Sequence, residues 1–352
     1  NLLVRPDHYL GAGHHHADAG MFHFSALGVD WFTQSPFDQE FSGKYFNLVQ
    51  VDGHSEPDSL PGGTTGYNAA AKYLGAVINP SAAAGTADMT YSYSYRWLTQ
   101  PQQNWPESVK AMDWEMDPTP RILKIFAGTA RYKLREWWSN YNYSNYIATS
   151  RAAFNPMQYV YRTAGLVRGT HPYGFIMDDL KKDDAEHLYQ WAGMLNGGVW
   201  KANVPNLPAN EAALAYREGD PSTASSAEKP AIDPQPGEPL LLVCALGLKE
   251  SGDSSLPLIK IETAPGSRDK KGAAQYYDRM LINRRASSVA FKTLLLPVKS
   301  GEPLPEVTFD DASQTATIKW SDQTDTMTFT PGPDNRTRMK VTRGGTQLID
   351  LQ

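Results

Sequence analysis

The chain reads as all-β: a large antiparallel β-sandwich with few short helices. Three observations predict it. Gly (28) and Pro (25) recur along 352 residues and interrupt any long helix. Many segments alternate apolar and polar residues with a period of two, as a half-buried strand does. Helical periodicity is sparse.

The elements follow in order. In Met21 to Leu27, residues Phe22, Phe24 and Ala26 share one strand face. Asn68 to Ile78 fits either a short helix or a strand. In Tyr91 to Trp97 four aromatics alternate with small or charged residues, which predicts a strand. That face suits a sheet core better than a sugar platform. Arg131 to Arg135 alternates basic and apolar residues, and Tyr159 to Thr163 and Tyr173 to Met177 continue the strand pattern. Residues 207–217 read as a short helix capped by Asn210. Glu218 to Pro239 is rich in Ser, Pro and Glu and reads as an exposed loop inserted within a sheet. The apolar run Leu240 to Leu248 reads as a buried strand, with Cys244 an inert core thiol. Ala316 to Phe329 reads as a hairpin. Arg284 and Arg285 are read as part of an exposed turn. The whole chain, 1–352, is taken as one β-sandwich domain, with a smaller C-terminal β subdomain over 300–352.

Composition excludes several function classes. The net charge of −5, with both signs interspersed, argues against a dedicated nucleic-acid binder. The longest apolar run is too short to span a bilayer, so no membrane span is expected. One cysteine excludes an intramolecular disulfide framework. The chain opens without an initiator Met, and a processed or truncated product is expected.

The segment Gly11 to Phe22 carries the most chemistry. Five of the eight histidines lie within residues 8–23. Entering the next strand extended, His14, His16 and Asp18 would lie on one face. Two imidazoles and a carboxylate on one face suit either a divalent metal or proton transfer, and the spacing leaves both open. The bland alternative is an exposed polar loop. Farther on, Arg131, Lys133 and Arg135, with Trp138 close by, suit a polyanionic sugar, because guanidinium groups match carboxylate and sulfate oxygens. A solvated strand face explains the same residues.

At this point the residues resemble a known family. His14-x-His16-x-Asp18-x-Gly20-x-Phe22, followed by Ser25 to Phe32, resembles the opening of the C-terminal β domain of heparinase II/III-type polysaccharide lyases. Phe46 to Gly53 resembles a later family stretch, His-Asn-x-Val-x-x-Asp-Gly. Tyr161 to Thr163 is similar to its Arg-x-Val strand, and Phe175 to Asp179 to its hydrophobic-Asp-Asp segment. The order covers roughly residues 8–195.

The resemblance implies a supersandwich-like β domain and β-elimination of a uronate-containing, perhaps sulfated, polysaccharide such as a glycosaminoglycan or alginate. It implies a periplasmic or secreted bacterial enzyme. It implies an N-terminal helical (α/α) toroid in the full-length protein, which carries the catalytic Tyr and is absent from this chain. His14 would hydrogen-bond the substrate carboxylate or assist proton transfer, Asp18 would orient an imidazole, and His16 would be a zinc ligand. Two positions depart from the pattern. Gln34 and Phe46 stand where an Asp and a His ligand are expected, which puts the zinc in question; His23 and His54 are the available substitutes. The fragment alone is expected to be weakly active or inactive. Two other readings stay open: a non-catalytic carbohydrate-binding or structural module, and a metal-dependent cupin-like sugar isomerase.

Overall fold

A computed structural model describes residues 2–4, 19–33, 46–55, 67–68, 71–98, 115–117, 151–195, 199–202, 212–218, 234–268 and 274–352. The fold is all-β and built in layers. At its centre is an eight-stranded antiparallel sheet. Its strand order is Val199–Ala202, Ala212–Glu218, Pro239–Ala245, Val289–Lys299, Tyr173–Lys181, Tyr159–Val167, Ala82–Asp88 and Lys72–Asn79.

Both faces of this sheet pack against further sheets over its middle strands. One face packs against a four-stranded sheet (Ile259–Arg268, Ala274–Ala286, His187–Met194, Val49–Val51) and a three-stranded sheet (Leu2–Val4, Phe22–Ala26, Val29–Phe32). Phe22, Phe32 and Trp191 meet there, ring centroids 5.5–5.8 Å apart, and pack with Ile176, Leu180 and Leu295. The other face packs against a C-terminal five-stranded sheet spanning Glu306–Asp310 to Thr346–Leu351. Phe175, Met177 and Leu296 meet Ile318, Met327 and Val341 in that second core. A strand buried on both faces shows a continuous apolar run rather than alternation. Tyr173–Lys181 and Pro239–Ala245 are of this kind.

The buried strand read at Leu240 to Leu248 is found at Pro239–Ala245, with Cys244 buried in it. Its neighbour is Ala212–Glu218, so residues 219–238 link adjacent strands of one sheet; 219–233 lie outside the described residues. The C-terminal hairpin is present as Thr315–Lys319 and Thr324–Pro331. Asn68 to Ile78 resolves into strands, Tyr67–Asn68 and Lys72–Asn79.

Three local readings are corrected. Ala212–Glu218 is a strand, not a helix: Ala and Leu favour helices in isolation, but pairing with Pro239–Ala245 overrides that weak preference. Tyr91 to Trp97 is not one strand. Thr90–Ser94 forms a helical turn before the strand Tyr95–Leu98. Asp88 Oδ1 accepts the Thr90 amide at 3.0 Å, and Ser92 Oγ donates to Met89 O at 2.9 Å. Such side-chain bonds to nearby backbone compete with a ladder. Tyr93 is therefore buried while Tyr91 is exposed, and they share no face. Arg284 and Arg285 lie within the strand Ala274–Ala286, where Arg284 Nη1 donates to Glu250 O and Arg285 pairs with Asp253.

Among the described residues no helix is long and apolar enough to cross a membrane.

Candidate functional site

The four family-like stretches meet at one buried point. The strand Phe22–Ala26 lies under the central sheet, and Gly20 enters it just after Asp18. Gly20 adopts φ +80, and a Cβ there would fall 1.8 Å from Met89 Sδ, so only glycine fits. The Gly20 carbonyl accepts a 2.8 Å hydrogen bond from Arg162 Nη1. The same nitrogen donates to Asn47 O at 2.6 Å.

Arg162 stands opposite Asp178 in the ladder between Tyr159–Val167 and Tyr173–Lys181. Its Nε and Nη2 grip Asp178 Oδ1 and Oδ2 at 2.6 and 2.9 Å, and both side chains are 0% exposed. Burial pushes the Asp178 carboxyl above the ordinary carboxylate range, opposed by the pull of Arg162. The fork geometry pairs both oxygens at once, which a lysine could not do. The guanidinium also lies 5.4 Å from the Phe22 ring centroid.

Asn47 closes the hub. Its Nδ2 donates to Phe22 O at 2.5 Å, and its Oδ1 accepts the Met194 amide. Its neighbour Phe46 packs with Met21 and Leu48 in a small apolar cluster, so this position is core. The hub thus ties together the segment after the histidine motif, the stretch 46–51, the central hairpin and the strand His187–Met194.

A second polar cluster was not read from the sequence. Asp52, at φ +53 in the Asp52–Gly53 turn, bonds His187 Nδ1 at 2.6 Å and accepts the Leu188 amide at 3.0 Å. Asp183 Oδ1 lies 2.9 Å from the other ring nitrogen. Burial of Asp52 opposes its ionisation, but the bonds from Leu188 and His187 outweigh this and hold its pKa below the usual range. With both ring nitrogens engaged, His187 acts as a tie between the turn and the following strand. Only the Asp-Gly pair, a turn signal, pointed here.

His14, His16, Asp18, Gln34, Arg131, Lys133, Arg135 and Trp138 lie outside the described residues. His23 sits in Phe22–Ala26, and His54 bridges to Val51. Among the described residues no group of three His, Cys, Asp or Glu side chains is placed to hold a metal ion.

No protein-family model matches the sequence, and neither does any curated protein. Among solved structures the chain is similar to heparinase III, at 10% identity and a TM-score of 0.47, over 95% of this chain and 35% of that one. It is also similar to a heparan sulfate lyase from Pedobacter heparinus, at 9% identity and a TM-score of 0.46, over 100% of this chain and 39% of that one. The chain therefore spans little more than a third of the length of the structures it matches.

Proposed function

We propose that this chain is the β-sandwich part of a polysaccharide lyase that cleaves a uronate-containing polysaccharide by β-elimination. That reaction requires three things: neutralising the uronate carboxylate, removing the C5 proton and protonating the O4 leaving group. In this reading His14 contacts the carboxylate or assists proton transfer, and Asp18 orients an imidazole. His16 would hold a divalent metal such as zinc. Arg131, Lys133, Arg135 and Trp138 would bind the polyanion. A helical domain elsewhere in a longer, secreted or periplasmic protein would supply the remaining catalytic groups.

One observation carries the reading. Gly20, Asn47, Arg162 and Asp178 come from four stretches that separately resemble the lyase family, and they form one buried hub. A hub that fixes the chain two residues after Asp18 is what a positioned His-x-His-x-Asp motif needs.

The test uses the full-length protein and the ultraviolet absorbance of the unsaturated product. His14→Ala should lower the rate about 10²–10⁴-fold, the range for positioned acid–base groups. An unchanged rate would remove His14 from the mechanism.

A further inference from the structure

The strands Lys72–Asn79, Ala82–Asp88 and Tyr159–Val167 form one end of the eight-stranded sheet. They present an open groove of about 340 Å³, near the lower end of the ~300–1,000 Å³ typical of ligand sites. Its composition is unusual for strands. Register places Ala76 opposite Gly85 and Gly85 opposite Ala164, with Ala83 beside them, so the floor is made of small residues. Such residues are poor strand formers, and a strand glycine often marks close approach of a ligand or another backbone.

The rim has the opposite character. Tyr73 is 59% exposed, and its ring edge lies beside Gly85, 3.4 Å from where a Cβ would stand. At the far end Arg168 is exposed, with Nη1 held by Asn79 O at 2.9 Å. Among the described residues lining the groove there are two arginines and no carboxylate. Arg162 is spent on Asp178, Gly20 and Asn47, so Arg168 supplies the available charge.

We propose that this groove binds an anionic oligosaccharide. Tyr73 takes the apolar face of a sugar ring, the Ala/Gly floor makes room for it, and Arg168 pairs with a carboxylate or sulfate. The groove also touches Arg162, the residue that anchors Gly20, so a sugar chain bound there would lie next to the hub. The assignment rests on the lyase reading only for the ligand's relation to a substrate; binding itself does not require turnover.

Calorimetric titration of the 352-residue chain tests it, with a heparan sulfate tetrasaccharide and neutral cellotetraose as probes. The acidic probe should bind more tightly than the neutral one. Tyr73→Ala should weaken binding by about tenfold or more. Arg168→Ala should abolish the preference for the acidic probe. Gly85→Ala is the decisive variant. Gly85 has ordinary strand φ and a Cβ there would meet only van der Waals contacts, so alanine keeps the strand while raising the floor beneath the Tyr73 ring. Its melting temperature should hold or rise while affinity falls about tenfold or more. Failure of the parent chain to bind the acidic probe, or unchanged affinity in all three variants, overturns the proposal. If groove-dependent binding is seen but the full-length protein forms no unsaturated product, the groove stands and the lyase reading falls. If product forms while the groove variants bind normally, the reverse holds.

Discussion

Asp178 and Asp179 are adjacent in sequence, yet their carboxylates serve opposite faces of the same sheet. Asp178 turns toward the aromatic core and is gripped by Arg162, with both partners fully enclosed. Asp179 turns toward the C-terminal sheet, and among the described residues its bonds come from Thr337 rather than from a guanidinium. It accepts the Thr337 amide at 2.7 Å and the Thr337 hydroxyl at 2.6 Å. Burial, only partly offset by those bonds, pushes its pKa up to about 6. One face therefore holds a carboxylate gripped by a guanidinium that also bonds two carbonyls of other segments. The other holds a carboxyl stapled by neutral donors and able to titrate. The first arrangement fixes position; the second joins two sheets and leaves their junction sensitive to pH.

The largest effect should come from breaking the enclosed pair. Asp178→Ala leaves the Arg162 guanidinium buried without its counter-charge, which typically costs about 3–5 kcal/mol. Asp179→Asn keeps a hydrogen-bond acceptor for Thr337 and should cost far less at pH 7. Urea unfolding of the two variants compares the faces directly. Equal losses would mean that enclosure of the Arg162 pair contributes nothing special.

The second effect sharpens the contrast through pH. Asp179 has a folded pKa of about 6 against an ordinary value of 3.8. The folded state therefore holds its proton more tightly than the unfolded chain does. Its contribution is complete below pH 3.8 and is lost as pH rises through 6. At about 1.36 kcal/mol per unit the whole shift is worth about 3 kcal/mol, of which about 2 kcal/mol is lost between pH 4 and 7. Exposed carboxylates such as Asp310, held low by bonds from Ser313 and Ala312, act in the opposite direction. The difference between parent and Asp179→Asn isolates the term: their stabilities should diverge steadily as pH falls from 7 to 4, with the parent gaining. Parallel curves would show that Asp179 does not titrate in this window.

These contrasts also mark what the sequence could tell. The unbroken run at Leu240 to Leu248 and the alternation at Phe22 and Phe24 were legible because burial on two faces or one leaves its own periodicity. Tyr91 to Trp97 misled because Ser92 and Ser94 occupy the polar positions of a strand but bond backbone groups in a turn, Met89 O and the Met157 amide. Residues 212–218 misled because local propensity carries no record of the neighbouring strand. Arg162 shows the limit most clearly. A basic residue in an alternating strand reads as solvent-facing, and only the fold brings Asp178, Gly20 and Asn47 around it. The order of the motif stretches was visible, but their meeting point was not. His14, His16 and Asp18 lie outside the described residues, so the chemistry of that motif rests on sequence.

The smallest expected effect comes from a second Arg–Asp pair, on the Asp179 side. Arg343 Nε and Nη2 bond Asp325 at 2.6 and 2.7 Å, nearly the same fork as Arg162 on Asp178. Arg343 also donates to the Arg168 carbonyl, as Arg162 does to Gly20 and Asn47. The chemistry is matched, but the enclosure is not: the Arg343 side chain is 25% exposed while Asp325 is 0% exposed. In Arg343→Ala, water can enter the vacated space and solvate Asp325, and Gln323 Nε2 still donates to it at 3.3 Å. The loss should be about 1–2 kcal/mol, nearer a charged hydrogen bond than a stranded buried ion. Salt should also weaken this pair more than the Arg162 pair, because screening reaches exposed charges first. Measuring both variants at low and high ionic strength tests this. A larger loss for Arg343→Ala than for Asp178→Ala would reverse the order of the two faces, and with it the argument that solvent access separates them.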